Sequence, residues 1–178
     1  MCFRMLDKVL QKFSGLVFMV GAMCSACFAL GAQAKPATGP LQGVVTHVTD
    51  GDTLWVRLAG ETDSVKVRFQ GIDAPESCQA GGDASLAALK TKVLHQTVQL
   101  QSGRYDDYGR MLARVRMQGI DVGEWMVQQG QAWSYRYRNN PGPYAAQEQA
   151  ARVAKLGVWA VPGFVEPRLF RQQHGSCK

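Results

Sequence analysis

The order of hydrophobic patterns predicts a mainly β protein with helices (α+β): a five-stranded Greek-key barrel of the OB type carrying three helices. Three observations lead there. Five short strand patterns run between residues 43 and 117, a helical pattern interrupts them after the third, and two more helical patterns follow the fifth.

The elements read in order as follows. Val44, Val45 and Val48, then Leu54, Val56 and Leu58, flank Asp50-Gly51-Asp52, a hairpin signal because Asp and Gly accept the dihedrals of tight turns. Val65, Val67 and Phe69 alternate with Lys66, Arg68 and Gln70, the period of a half-buried strand, which Gly71 and Pro75 end. Asp83 is placed to cap a helix over 84–95, whose apolar side carries Leu86, Leu89, Val93 and Leu94. Val98 and Leu100 suggest a fourth strand, and Met111 to Met117 a fifth, after the turn Tyr108-Gly109-Arg110. A second helix is expected over 122–129 with Gly130 at its end. A third is expected over 144–156, with Ala146, Ala150, Val153 and Ala154 facing inward and Gly157 closing it.

The ends of the 178-residue chain read differently. Arg4, Lys8 and Lys12 precede a charge-free apolar stretch from Gly15 to Ala32, and Ala32-Gln33-Ala34 supplies a small-x-small cleavage pattern. Residues 1–34 therefore read as a secretory signal peptide, which implies a periplasmic or secreted protein with no membrane segment in its mature form. An uncleaved transmembrane anchor is the rival reading, since the run is near the lower length limit for a span. Lipoprotein anchoring fits poorly, because neither Cys24 nor Cys27 follows a suitable lipobox. Residues 35–42 read as a linker, 43–160 as the folded domain, and 161–178 as a tail without its own core, where Arg168 and Arg171 are either an extension of the basic surface or merely solvated.

Charge and cysteine content narrow the function classes. Cleavage removes Arg4, Lys8 and Lys12 together with Asp7, a net loss of two positive charges, so the formal +6 becomes +4. A basic exported protein suits a polyanion such as nucleic acid. Three of five cysteines fall in the signal, leaving Cys78 and Cys177 as an even pair in an oxidising compartment. A disulfide between them would pin the tail beside Glu76. Two free thiols or an intermolecular bridge are the alternatives.

Four clusters carry chemistry: Asp50-Gly51-Asp52-Thr53, Arg68 with Asp73-Ala74-Pro75-Glu76, Asp106-Asp107-Tyr108-Gly109-Arg110, and Tyr135 with Tyr137. Each taken alone reads as a turn, a strand end or core packing. Together they hold what phosphodiester hydrolysis needs. Asp52 and Asp73 can hold Ca²⁺ or Mg²⁺ through hard carboxylate oxygens. Glu76 can position or deprotonate a water. Arg68 and Arg110 can each make bidentate contacts to phosphate oxygens and stabilise charge that grows in the transition state. His47, His95 and His174 lie beside no plausible partner, and no pair of His or Cys in the mature chain has zinc-ligand spacing. A serine or cysteine hydrolase lacks its base.

On these motifs, in this order and at the spacing from Arg68 through Asp73 to Glu76, the stretch from Gly43 to Trp159 resembles the staphylococcal nuclease (thermonuclease) family. The helix ending Leu156-Gly157-Val158-Trp159 adds to the likeness. The resemblance implies an OB-fold endonuclease dependent on Ca²⁺, little discrimination between DNA and RNA, and 3′-phosphorylated products. It implies Asp52 and Asp73 as calcium ligands, with Ala74 offering its backbone carbonyl, and Arg68, Glu76 and Arg110 as the catalytic trio. Tyr108 and Tyr135 match residues that contact phosphate and stack on the nucleotide, Tyr135 after a one-residue gap. Two positions depart from the staphylococcal pattern: Ala74 stands in place of threonine, and Asp107 in place of a lysine beside the nucleotide's terminal phosphate. DNA and RNA are the only partners implied; no stable protein partner is.

A noncatalytic nucleic-acid-binding OB module is the main alternative, although such modules typically lose the arginines or acids that are all present here. An envelope-associated structural protein would explain the signal and tail but not the charged clusters.

Overall fold

The computed structural model describes residues 39–177, so the expected signal peptide and the first residues of the linker lie outside the described residues. Five long strands form the barrel: β1 (Leu41–Asp50), β2 (Thr53–Leu58), β3 (Ser64–Phe69), β5 (Thr97–Tyr105) and β6 (Met111–Met117). Three two-residue strands accompany them: β4 (Ile72–Asp73), β7 (Ile120–Asp121) and β8 (Trp133–Ser134). The helices are α1 (Gly82–Val93), α2 (Val122–Gln128), α3 (Ala145–Val153) and α4 (Pro167–His174), with a 3₁₀ turn at Gly157–Ala160. The sheet order is β3-β2-β1-β5-β6-β7, and a parallel pairing of β3 with β6 closes the barrel. Val45, Leu54, Val56, Val67, Val98, Ala113 and Val115 fill it from inside, with Leu89 and Val93 of α1 and Met126 and Val127 of α2 packed into the same core. Among the described residues no helix is long and apolar enough to cross a membrane.

The OB-type α+β barrel stands as expected, with four α-helices among the described residues in place of three. Strand β1 begins at Leu41, inside the expected linker, because Leu41 and Gln42 pair with Leu100 and Gln99 of β5. Strand β5 outruns the Val98–Leu100 signal, since its polar residues Gln99 and Gln101 still pair with Arg116 and Arg114 of β6. Asp83 does not cap α1. The helix starts at Gly82 behind Gly81, whose φ of 87° needs no side chain to stabilise it. A Cβ on Gly82 would lie 2.2 Å from the Glu76 carbonyl oxygen, so the loop after β4 packs directly against the helix start.

Helix α3 turns a different face to the core from the alanine face expected. Ala146, Ala150, Val153 and Ala154 are exposed, whereas Glu148 and Ala151 are buried. The reason is polar. Glu148 accepts from the Ser134 amide at 2.9 Å and pairs with Arg136 and Arg152, and these charge-assisted bonds outweigh burial of small methyl groups. Helix α4 occupies the segment expected to be a bare tail, and its placement bears directly on the site.

Candidate active site at the barrel mouth

Local chemistry brings four chain segments to one end of the barrel. At the β1–β2 turn, Asp50 accepts the Asp52 amide at 3.0 Å, which tightens the hairpin. Gly51 is required there, since a Cβ would meet Ser85 Oγ of α1 at 1.9 Å. In the β2–β3 ladder Thr53 lies opposite Arg68, which sets Arg68 beside Asp52. Strand β4 pairs with β8 so that Asp73 lies opposite Trp133, and the Tyr135 amide donates to the Gly71 carbonyl at 2.9 Å. That small ladder carries Tyr135 to the edge of the site. The β5–β6 turn, where Asp106 accepts the Tyr108 and Arg110 amides, presents the remaining pair.

Asp52 and Asp73 are almost wholly buried, and Arg68 joins them. One terminal nitrogen of its guanidinium donates to Asp52 Oδ1, the other to Asp73 Oδ1 at 2.8 Å. Asp52 also accepts from Thr53 Oγ1 at 3.1 Å and, through Oδ2, from the Ala74 amide at 2.7 Å. It is the Ala74 N–H that the structure shows engaged. Burial pushes the Asp52 carboxyl up to about 8, against the pull of Arg68 and with a push from Asp50 and Asp73. Arg68 is held above its ordinary range, because Asp52 and Asp73 outweigh the burial that opposes its charge.

Glu76 does not touch Arg68. Its Oε1 accepts from Arg171 of α4 at 2.8 Å, and the same guanidinium donates to both oxygens of Asp73, at 3.1 and 2.9 Å. Burial opposes charge on Arg171, but Asp73 and Glu76 prevail and raise its pKa further. Arg110 stands apart from the buried carboxylates. Its Nε donates to Asp106 at 2.7 Å, its guanidinium lies 5.3 Å from the Tyr108 ring centre, and Asp106 is held below the usual carboxylate range: desolvation raises it, but the Arg110 amide and side chain and the Tyr108 amide together outweigh that. Tyr108 and Tyr135 are exposed.

Arg68, Glu76, Arg110, Tyr108, Tyr135 and Arg171 line one open cleft of about 930 Å³. Lys66 and Arg104 add to its wall, so five basic side chains face it against the acids Asp50 and Glu76. Such a cleft favours a polyanion. Asp52 and Asp73 are buried behind its wall, joined to it by Arg68, which lines the cleft and bonds to both. Two such carboxylates are hard oxygen donors that suit a hard divalent cation, with water and backbone oxygens completing the shell. Among the described residues, no group of three or more His, Cys, Asp or Glu side chains converges as a metal cluster. Asp107, which stands where the staphylococcal pattern has a lysine, is exposed, and Tyr137 pairs its backbone with Asn140 outside the cleft.

Cys78 and Cys177 are joined, with Cα atoms 5.8 Å apart. The bridge brings Ser176 and Cys177 into the cleft wall. For Arg171 the sequence offered only a basic surface or a solvated side chain, not a place among the acids. The available signal was the cysteine pair itself, which ties the segment carrying Arg171 next to Glu76.

A closed OB-type barrel with buried acids and a fan of arginines at its mouth defines a class of protein whose site is suited to phosphate groups. The chain belongs to the staphylococcal nuclease family: residues 66–161 match the family described as "Staphylococcal nuclease homologue". It is 35% identical over 148 residues to the "Micrococcal nuclease" of Shigella flexneri, covering 77% of this chain and 84% of that relative. It is 36% identical over 129 residues to an "Uncharacterized endonuclease" of Haemophilus influenzae, covering 72% of each. It is also 34% identical to "Protein ParB" of Escherichia coli over 163 residues, 85% of this chain and 91% of that one. The family match takes in Arg68, Asp73, Glu76, Arg110 and Tyr135 and ends before α4.

Proposed function

We propose that the protein is an exported, Ca²⁺-dependent endonuclease that hydrolyses phosphodiester bonds of DNA and RNA with little sequence preference and leaves 3′-phosphates. The observation that carries this reading is the Arg68 guanidinium, which lines a basic, tyrosine-edged cleft and bridges Asp52 and Asp73 buried behind it. Export is supported by the features of residues 1–34 and by the Cys78–Cys177 bridge.

Asp52 and Asp73 would hold the cation, which when bound polarises the phosphate and offsets its charge. Glu76 orients a water and takes its proton as the oxygen attacks phosphorus; the bond to the 5′ oxygen breaks, and that oxygen leaves with a proton. Glu76 can do this only when Arg171 does not hold its carboxylate. Arg68, already fixed by two carboxylates, offers a preorganised fork to the phosphate and needs little rearrangement as charge builds. Arg110 approaches from the β5–β6 turn: Asp106 engages its Nε, and its terminal nitrogens have no protein hydrogen-bond partner among the described residues. Exposed Tyr108 and Tyr135 supply stacking surfaces, which are sequence-tolerant because every base has a π face.

The test is hydrolysis of DNA and of RNA with Ca²⁺, with chelator, and with Ca²⁺ restored. Both polymers should be cut only when the ion is present, and the ends should carry 3′-phosphates. Undiminished cleavage of either polymer in chelator refutes the reading.

A further inference from the structure

The segment from Phe164 to Cys177 is docked on the barrel mouth mainly by polar and covalent contacts, with Phe164 half-buried beside Gly81 and Phe170 half-buried on α4. Gln79 donates to the Val165 carbonyl at 2.6 Å, Glu166 faces Arg136 at 3.6 Å, and Cys177 is bonded to Cys78. Within α4 only Pro167 is buried, and Leu169 is 48% exposed. Little apolar area therefore opposes movement of this helix. What it delivers is one guanidinium, placed on both oxygens of Asp73 and on Glu76.

The buried acids are thereby fully engaged. Each oxygen of Asp52 and of Asp73 accepts from an N–H of Arg68, Arg171 or Ala74, and Glu76 is engaged as well. A divalent cation bound through Asp73 would need oxygens that Arg171 covers, and would bring like charge against it. We propose that α4 is a tethered internal competitor for the cation: Arg171 occupies the carboxylates of Asp73 and Glu76, and cation loading requires its release. The Cys78–Cys177 bridge, six residues beyond Arg171, keeps the guanidinium at high effective concentration beside them. Opening the bridge then weakens the competitor. This inference rests on the proposed cation site at Asp52 and Asp73.

The experiment measures Ca²⁺ binding to the metal-free protein by titration calorimetry and amide hydrogen exchange across residues 167–174, neither of which depends on catalysis. Arg171→Gln should bind Ca²⁺ about 10- to 100-fold more tightly, the scale of losing charge-assisted hydrogen bonds that the ion must otherwise displace. The Cys78→Ser, Cys177→Ser double variant should shift in the same direction by less. In the wild-type protein, saturating Ca²⁺ should speed exchange in α4. Unchanged or weaker binding by Arg171→Gln, with Asp73→Asn still abolishing binding, overturns the inference and leaves the cation site standing. Unchanged or slower exchange in α4 on saturation likewise overturns it. Absence of Ca²⁺ binding in both wild type and Arg171→Gln overturns the cation site and the inference together. The calorimetry of Arg171→Gln and the exchange measurement do not depend on the double variant folding.

Discussion

Arg68→Ala removes the one side chain that touches both buried aspartates, so it should lower stability and turnover by separable routes. Breaking a buried pair by deleting one partner costs about 3–5 kcal/mol. Here Asp52 keeps the Ala74 amide and Thr53 hydroxyl, and Asp73 keeps Arg171, so the low end applies, about 3 kcal/mol. For a domain of this size that is a fall in Tm of ~10 °C. The deficit should depend on pH. Burial already holds the folded-state pKa of Asp52 near 8, above its unfolded value. Once Arg68 is gone the folded state retains that proton more strongly still. A raised carboxyl contributes most to stability at low pH and loses its contribution as pH rises, so the variant's deficit should be larger at pH 8 than at pH 5. Added Ca²⁺ should recover part of the Tm by neutralising Asp73 and, most readily at pH 8, by displacing the proton on Asp52, yet turnover should remain ~100-fold or more below wild type, because the fork that meets the phosphate is missing. Thermal denaturation at both pH values, with and without Ca²⁺, and steady-state hydrolysis of single-stranded DNA give the readouts. Turnover within a few-fold of wild type, or a Tm deficit that grows on acidification, would refute the reasoning.

Arg110→Ala should lower turnover by ~100-fold while moving Tm little, since its pair with Asp106 is partly solvated and weak; a large Tm loss with normal turnover would reverse that assignment. Glu76→Gln should slow hydrolysis strongly in a protein whose circular dichroism is unchanged, and near-normal turnover would remove it from the mechanism. Glu148→Ala strips the Ser134 amide and two arginines of their shared acceptor and should cost about 2–3 kcal/mol, read as a lower urea midpoint. Replacing Cys78 and Cys177 by serine opens a bridge spanning 99 residues and should lose roughly 4 kcal/mol in the chain-entropy account, seen as a lower Tm in both the presence and absence of Ca²⁺.

Much of the site was legible in the chain because its parts are local. Asp50-Gly51-Asp52 forms the β1–β2 turn its chemistry demands, and Met111–Met117 forms the expected strand because its apolar positions alternate. Arg68, Glu76 and Arg110 come to one cleft, with Asp73 buried just behind it, because each stands at a strand end or beside a turn. Faces were harder to read than elements. The methyls of Ala146 and Ala150 carry a weak apolar signal, and the buried Glu148 that displaces them becomes favourable only with Ser134, Arg136 and Arg152 around it. The length of β5 was equally hidden, since Gln99 and Gln101 are strand residues by virtue of their partners.

By itself, then, the sequence determined the barrel, the order of its elements and the identity of the acids and arginines at its mouth, because turn chemistry and hydrophobic period act over a few residues. Only the tertiary structure decided which charge meets which. Arg171 reaches Glu76 and Asp73 from 95 and 98 residues away, on a short helix in which only Pro167 is fully buried. An ion pair of that span leaves no periodicity in the chain; it forms because the barrel fixes two carboxylates and a disulfide returns the chain's end to them.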